Sequence, residues 1–558
     1  MKMRLRHHCS SLSILAVPAW LAATVAWAGG APADRIAPRL GPTQVNVTQD
    51  ETHRYGEPEI AVNPKNPDNL VYYIMSNRLT YRCEAAGDKN CTTFTHGSSD
   101  GEYNVPGWIS TDVFVSFDRG RTWKKVDFPS TPAYRDFPGE ASSHSDLVSR
   151  GDPMVTVTAN GTFYIGWDSM HLGFQNIPGH GVVGSLIDGG IAVSKSTDGG
   201  RTWSTPVLTG TGVDRPWLTT DLATGTIYEA SSGFVHGSMS TGNPKLPIFS
   251  SPADRWVVSS RDGVHWTAPR ELGGGGFAGP ARATISAAQG VLAAAFQATS
   301  AGACKYFVSS APPCTVFETS TDSGAHWTRH AVPGLSNATG DILVAADPVR
   351  RGNYTVAALD STETRFRVFS TSDSGATWKG PAIVTDNPHT IKFKPWIDYS
   401  PEGVLGLAWR SVTTATTAAT SAQRSAAAGA VSHVAYLVPP SYSAGCGMLG
   451  CGLPEDLNDV DPPSVPYAVW AAISTDCGVT FSDPLRVSSA PSPAADPKML
   501  LGTDDTSVIT VGRHDVFVGW GDWRPGNVAG YFSAVRLRAF SHAADGANRE
   551  GTGQRTRR

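Results

Sequence analysis

One short pattern recurs along this 558-residue chain and limits what the chain can fold into. Ser116, Asp118, Gly120 and Trp123 set the spacing. Ser196, Asp198, Gly200 and Trp203 repeat it, as do Ser320, Asp322, Gly324 and Trp327. Thr371, Asp373, Gly375 and Trp378 carry Thr for Ser, and Ser474, Asp476, Gly478 and Phe481 carry Phe for Trp. A sixth copy reads as degenerate: Ser259, Gly263 and Trp266 keep their places, but Arg261 stands where Asp belongs and Asp262 comes one step late. Length alone would suggest several domains, whereas copies of one supersecondary unit call for a single repeat architecture.

Each copy follows an alternating apolar run such as Asp112-Val113-Phe114-Val115-Ser116. Asp accepts hydrogen bonds from turn N–H groups, Gly takes positive φ, and the aromatic residue opens the returning strand and packs under the turn. Each copy is therefore expected as a β-hairpin with an aromatic clasp, structural rather than chemical. The pattern resembles the Asp-box, or BNR, signature of sialidase-type β-propellers. That resemblance implies a propeller with these turns on its outer, non-catalytic side, and glycoside hydrolysis at the opposite face.

A second echo marks where each unit begins. Glu57-Pro58-Glu59-Ile60, Asp152-Pro153-Met154-Val155, Arg215-Pro216-Trp217-Leu218 and Lys394-Pro395-Trp396-Ile397 share a charged residue before proline, and weaker versions start at Arg282, Asp341 and Asp504. A more apolar strand follows each opening. Seven openings against six boxes predict seven four-stranded blades, with six as the alternative that sialidases proper would suggest. The seventh unit lacks an outer strand, and the strand near Val45 is expected to supply it and close the ring. The expected propeller spans 43–540, with insertions between Arg78 and Thr111 and between Arg410 and Val465.

The flanks and cysteines point to export. Residues 1–28 read as a signal peptide, with Lys2, Arg4 and Arg6 ahead of an apolar run and Ala26-Trp27-Ala28 as the cleavage site. Residues 29–42 read as a flexible segment and 541–558 as a disordered tail. Cys83 with Cys91, Cys304 with Cys314, and Cys446 with Cys451 are close pairs suited to local disulfides in a secreted or periplasmic protein. Cys477 is left over as an expected free thiol. No further run is apolar enough to span a membrane, and no basic block in the body suits nucleic acid. No residue spacing calls for a metal or cofactor, and a monomer is expected.

In a propeller the first strands surround the axis and their beginnings meet at one mouth. A mixed ring of carboxylates and cations there suits a glycan or another anionic or polyhydroxylated ligand. The same charges also suit pairing across the channel that holds blades in register. The family resemblance implies an arginine clamp, a tyrosine nucleophile assisted by Glu, and an acid/base Asp. Arg215, Arg282 and Arg524 are the candidate clamp, with Glu59, Lys394 and Asp504 as further ligand contacts. Asp152 and Glu57 are the candidate catalytic carboxylates. Tyr399 is the candidate nucleophile, with Tyr55 as its alternative. The family's Phe/Tyr-Arg-Ile-Pro motif is missing: Gly56-Glu57-Pro58-Glu59-Ile60 contains no Arg, and Arg35-Ile36-Ala37-Pro38 lies ahead of the first blade. The alternative is a non-catalytic propeller that binds glycan or protein through the same mouth.

Overall fold

The computed structural model describes residues 43–540, except 51–52, 79–92, 96–101, 105–108, 128–146, 178–180, 212–213, 233–254, 273–283, 299–300, 309–313, 336–337, 361–364, 385–389, 414–465, 494–505 and 527. The expected signal peptide, N-terminal segment and tail lie outside the described residues.

Seven four-stranded antiparallel sheets follow one another along the chain. Their first strands are His53–Val62, Leu147–Val157, Asp214–Thr220, Thr284–Ala288, Ala338–Ala346, Thr390–Tyr399 and Ser507–Val511. Each touches the first strand of the next sheet, and the seventh touches the first, so the seven form a closed ring. The second strands read as near-continuous apolar runs because a neighbouring blade covers each face. Asp515–Asp522 is buried at every position and Val291–Ala298 at all but one.

The seventh blade is completed from the other end of the chain. Thr43–Asn46 pairs antiparallel with Ala529–Arg536, placing Thr43 opposite Ala534 and Asn46 opposite Tyr531. The pairing continues past the strand, where Val47 N–H donates to Gly530 O at 2.8 Å. The seven-blade reading holds, and the borrowed strand covers what would be an exposed edge.

The repeated turns work as their residue types dictate. The Ser116 hydroxyl donates to Asp118 at 2.8 Å and accepts from Gly120 N–H at 2.8 Å. Asp118 also accepts from the Thr122 N–H and hydroxyl at 2.9 and 2.6 Å, and the Trp123 indole N–H donates to Gly120 O at 3.0 Å. In the copy at Asp373, the Thr377 hydroxyl and then its N–H hold the carboxyl below the usual range. The sixth copy keeps the serine–aspartate–glycine hydrogen bonds despite its irregular spacing. Ser260, not Ser259, takes the serine role, accepting from Gly263 N–H at 2.9 Å and donating to Asp262 at 3.1 Å. The turn is one residue shorter between Asp and Gly, which is why the sequence spacing misaligns it.

Each turn also presses on the blade before it. Gly120 has φ +77°, and a Cβ there would stand 2.2 Å from Phe532 of blade 7. At Gly263, φ +71°, the obstacle is Tyr164 of blade 2, also at 2.2 Å. Trp123 then packs edge-on against Phe532 and Tyr72, at 5.1 and 5.6 Å between centroids. The glycine thus serves both the turn and the contact between blades.

In the six blades that carry them the turns join the third and fourth strands at one end, so the connections between second and third strands leave from the other end. The two expected insertions start there, after Arg78 and Thr413. Blade 2 contributes a tall hairpin on the same face, Phe163–Ile177 with Gly181–Ser196, which touches the short strand Thr93–Thr95. In blade 4 the connection carries the helix Ala301–Val308 and the disulfide Cys304–Cys314. The other two cysteine pairs lie outside the described residues. No described cysteine is free, which corrects the expectation of a free thiol at Cys477. Among the described residues no helix is long and apolar enough to cross a membrane.

Candidate functional site

The charged residue before each proline sits on a β-bulge. Proline has no N–H for the ladder, so the first strand leaves register with its partner there. The breaks fall between Gly56 and Glu59, Gly151 and Met154, Asp214 and Trp217, and Phe393 and Trp396. Bulges of this kind re-aim side chains, and they favour barrel rims and active sites. Glu57, Asp152 and Lys394 carry positive φ of 53°, 42° and 49°. Residues other than glycine held in this region cost of order 1–3 kcal/mol each. Three blades therefore hold a charged residue in the same strained conformation at the same register.

Packing is close beside the blade 2 bulge. At Gly151, beside Asp152, a Cβ would stand 2.5 Å from the carboxylate of Asp168, which lies opposite on the second strand and is 2 % exposed. Glu57 is buried, and Asp152 and Lys394 are partly exposed. The Lys394 ammonium has no hydrogen-bond partner among the described residues and almost no accessible surface. Leaving a buried donor unmatched is costly, so this one is a place where an acceptor would be gained.

Two residues beyond each of these positions, the chain fills the axis. Trp217 and Trp396 stack with centroids 4.8 Å apart and planes 22° from parallel. They come from blades 3 and 6, which are not neighbours, so the stack crosses the ring. Trp217 packs on apolar clusters of blades 3–4 and 5–6, and Trp396 on those of blades 6–7 and 7–1. Both meet the cluster around Met154. The mouth therefore has an aromatic floor.

Glu59 occupies the same place in blade 1 as Trp217 and Trp396 in theirs, and it is 4 % exposed. Burial first, then the charge of Asp398, pushes its carboxyl well above the usual range. Asp398, two residues past Trp396, is pushed up to about 7 by burial, against hydrogen bonds from Thr510 and from the backbone N–H groups of Val511 and Tyr399.

Arg524, Tyr399 and Tyr55 are each engaged by partners within the fold. Arg524 forks onto Asp522, with Nε and Nη2 donating at 2.8 and 2.7 Å, and lies over the Tyr531 ring at 4.5 Å. Trp520 and Trp523, on the same blade, are buried core residues. Tyr399 lies at the far end of its strand, with its hydroxyl 2.8 Å from Thr355 Oγ1 in the interface of blades 5 and 6. Tyr55 is fully buried and donates to Asp50 at 2.9 Å; burial and the charges of Asp112 and Asp50 push its pKa up, opposite to what a nucleophilic phenolate needs. Of Arg215 the structure describes only the backbone, in the first strand of blade 3, and Arg282 and Asp504 lie outside the described residues. Sequence reasoning did not single out Asp168. Its one signal is its place at the mouth end of a second strand, level with Gly151.

A wide groove of about 840 Å³ opens elsewhere, on the outer rim between blades 1 and 2, lined by Phe117, Trp123, Arg201 and Trp203 among others. It lies at the turn end of the blades, away from the bulges.

No protein-family model matches the chain, and no curated protein matches it. Solved structures do. A Hadza microbial sialidase is 16% identical with a TM-score of 0.38, covering 78% of this chain and 74% of that one. A protein of unknown function from Dyadobacter fermentans is 13% identical at 0.41, covering 89% and 98%. An α-L-arabinofuranosidase from Fusarium graminearum is 10% identical at 0.37, covering 90% and 97%. At such scores these likenesses carry no conclusion about activity.

Proposed function

We propose that this chain is an exported, sialidase-like glycoside hydrolase that takes the end of a glycan into the mouth above the Trp217–Trp396 stack. The strained, charged residues before proline carry this reading: Glu57, Asp152 and Lys394 share one conformation that costs stability in three blades. Glu57 and Asp152 come from adjacent blades whose first strands touch. One carboxyl group protonates the leaving oxygen, and the other acts on the opposite face of the sugar as base or nucleophile. Lys394 contributes a cation toward a ligand oxygen. Tyr399 has no part in this scheme, because its hydroxyl is engaged between blades.

A second reading is a non-catalytic glycan-binding propeller. It is favoured by the engaged fork of Arg524 and the buried Tyr55, which leave no assembled clamp and nucleophile among the described residues. A panel of fluorogenic glycosides, including a sialoside, separates the two. The hydrolase reading expects release that falls about 10²- to 10⁴-fold in Asp152→Asn or Glu57→Gln with binding retained. Glycan binding without release from any substrate selects the second reading.

A further inference from the structure

Behind two of the strained residues stands a buried charged residue that the proposed chemistry does not use. At each bulge two residues of the first strand oppose one of the second, so the ladder does not fix the charged residue in place. In blade 2, Asp152 and Pro153 oppose Trp167; in blade 6, Lys394 and Pro395 oppose Trp409. The last paired residue before the bulge is Gly151 in blade 2 and Phe393 in blade 6, and their partners on the second strands are Asp168 and Arg410. Asp168 is 2 % exposed and Arg410 0 %. In blade 1 the same position carries the apolar Met75, opposite Gly56. Burying a charged side chain is costly, so its presence here in two blades points to a role beyond filling space.

Each of the two holds the residue that leads into its bulge. The Asp168 carboxylate lies against Gly151: a Cβ there would stand 2.5 and 3.0 Å from its two oxygens, so the carboxylate fills the space a side chain would take. Arg410 acts on Phe393 through a shared ring. Its Nε donates to Ser507 Oγ at 2.7 Å and its Nη2 to Thr506 O at 2.6 Å, which ties it to the start of blade 7. Its guanidinium lies 5.0 Å over the Tyr467 ring, and Phe393 packs edge-on against the same ring at 5.8 Å.

We propose that Asp168 and Arg410 are positioning residues: they set the aim of Asp152 and of Lys394 into the mouth and touch no ligand themselves. Their roles rest on the reading of the mouth as a glycan site, whether or not the glycan is cleaved there. Groups that meet a ligand have to be held to within about 0.5 Å, by neighbours whose own side chains are locked. A misplacement of about 1 Å can cost roughly 10²-fold in rate.

Double-mutant cycles test the assignment on the glycoside selected from the panel. Asp168→Ala should lower kcat by about 10- to 100-fold while KM changes by less than about threefold. Asp168→Asn, which keeps the shape over Gly151, should recover most of that loss. In an Asp152→Asn background Asp168→Ala should cost little more, because its effect passes through Asp152. Arg410→Lys keeps the charge but loses the fork, and should weaken ligand binding about tenfold in the wild type but not in Lys394→Met. Thermal unfolding identifies the folded variants. Where Asp168→Ala does not fold, Gly151→Ala, which presses on the same carboxylate from the first strand, replaces it in the cycle. If the wild type binds a glycan without releasing product, both cycles are read in affinity. Losses that persist in full in the Asp152→Asn and Lys394→Met backgrounds, or wild-type behaviour of Asp168→Ala and Arg410→Lys, overturn the positioning roles and leave the mouth as the site. A wild type that binds no glycan removes the proposed function itself, and the positioning roles with it.

Discussion

Replacing Gly120 by Ala puts a number on the contact between blades. Two costs add at this position. The backbone has φ +77°, which an L side chain adopts at about 1–2 kcal/mol. The new Cβ would also stand 2.2 Å from Phe532, a buried ring on the preceding blade, so the blades must separate or the ring must turn. Overpacking of this kind costs about 1–3 kcal/mol. Gly225 isolates the first cost: it has φ +71° in the first turn of blade 3, and a Cβ there meets nothing within 4 Å. Urea unfolding should therefore place Gly120→Ala about 2–5 kcal/mol below the wild type and Gly225→Ala only about 1–2 kcal/mol below it. Equal losses at the two positions would refute the claim that the repeated turn joins one blade to the next.

Three further outcomes follow. Asp118→Ala removes the acceptor of three hydrogen bonds within one exposed turn, and should cost about 1–3 kcal/mol in urea unfolding without changing glycoside release. Arg524→Ala leaves fully buried Asp522 without its ion-pair partner, so thermal unfolding should show a loss of about 3–5 kcal/mol while ligand affinity of the folded protein stays the same. Asp398→Asn removes a carboxyl whose pKa rises from 3.8 to about 7, and should stabilise the protein at pH 8 by up to roughly 4 kcal/mol and have little effect at pH 4; equal effects at the two pH values in urea unfolding would exclude the burial argument.

Much of the ring was legible because its signals are local. The Ser-Asp-Gly-Trp spacing encodes a turn whose bonds all lie within eight residues, and the charged residue before proline encodes a bulge through a missing N–H. Seven openings against six boxes sufficed to call for a borrowed strand, because an unpaired edge is a physical liability. The sixth box was misread because a one-residue deletion shifts the alignment while Ser260 and Asp262 keep every bond. The free thiol expected at Cys477 was an inference from counting, and counting does not fix pairing. The site was harder to read, since it depends on what stands across the axis. Nothing in Arg-Pro-Trp or Lys-Pro-Trp announces that Trp217 and Trp396 stack from opposite blades, or that Glu59 meets the charge of Asp398. Tyr399 and Arg524 looked available because sequence shows residue type without showing the partner, here Thr355 and Asp522.

Where a sugar comes to rest is the most direct test. Crystals of the protein soaked with a short oligosaccharide, chosen from the glycoside panel by release or by binding, locate the ligand. The account predicts a sugar ring at the mouth, over the tryptophan floor and within hydrogen-bond reach of Asp152, Glu57 or Lys394. A ligand seated instead in the rim groove between blades 1 and 2, against Phe117 and Trp203, with the mouth empty, would contradict it.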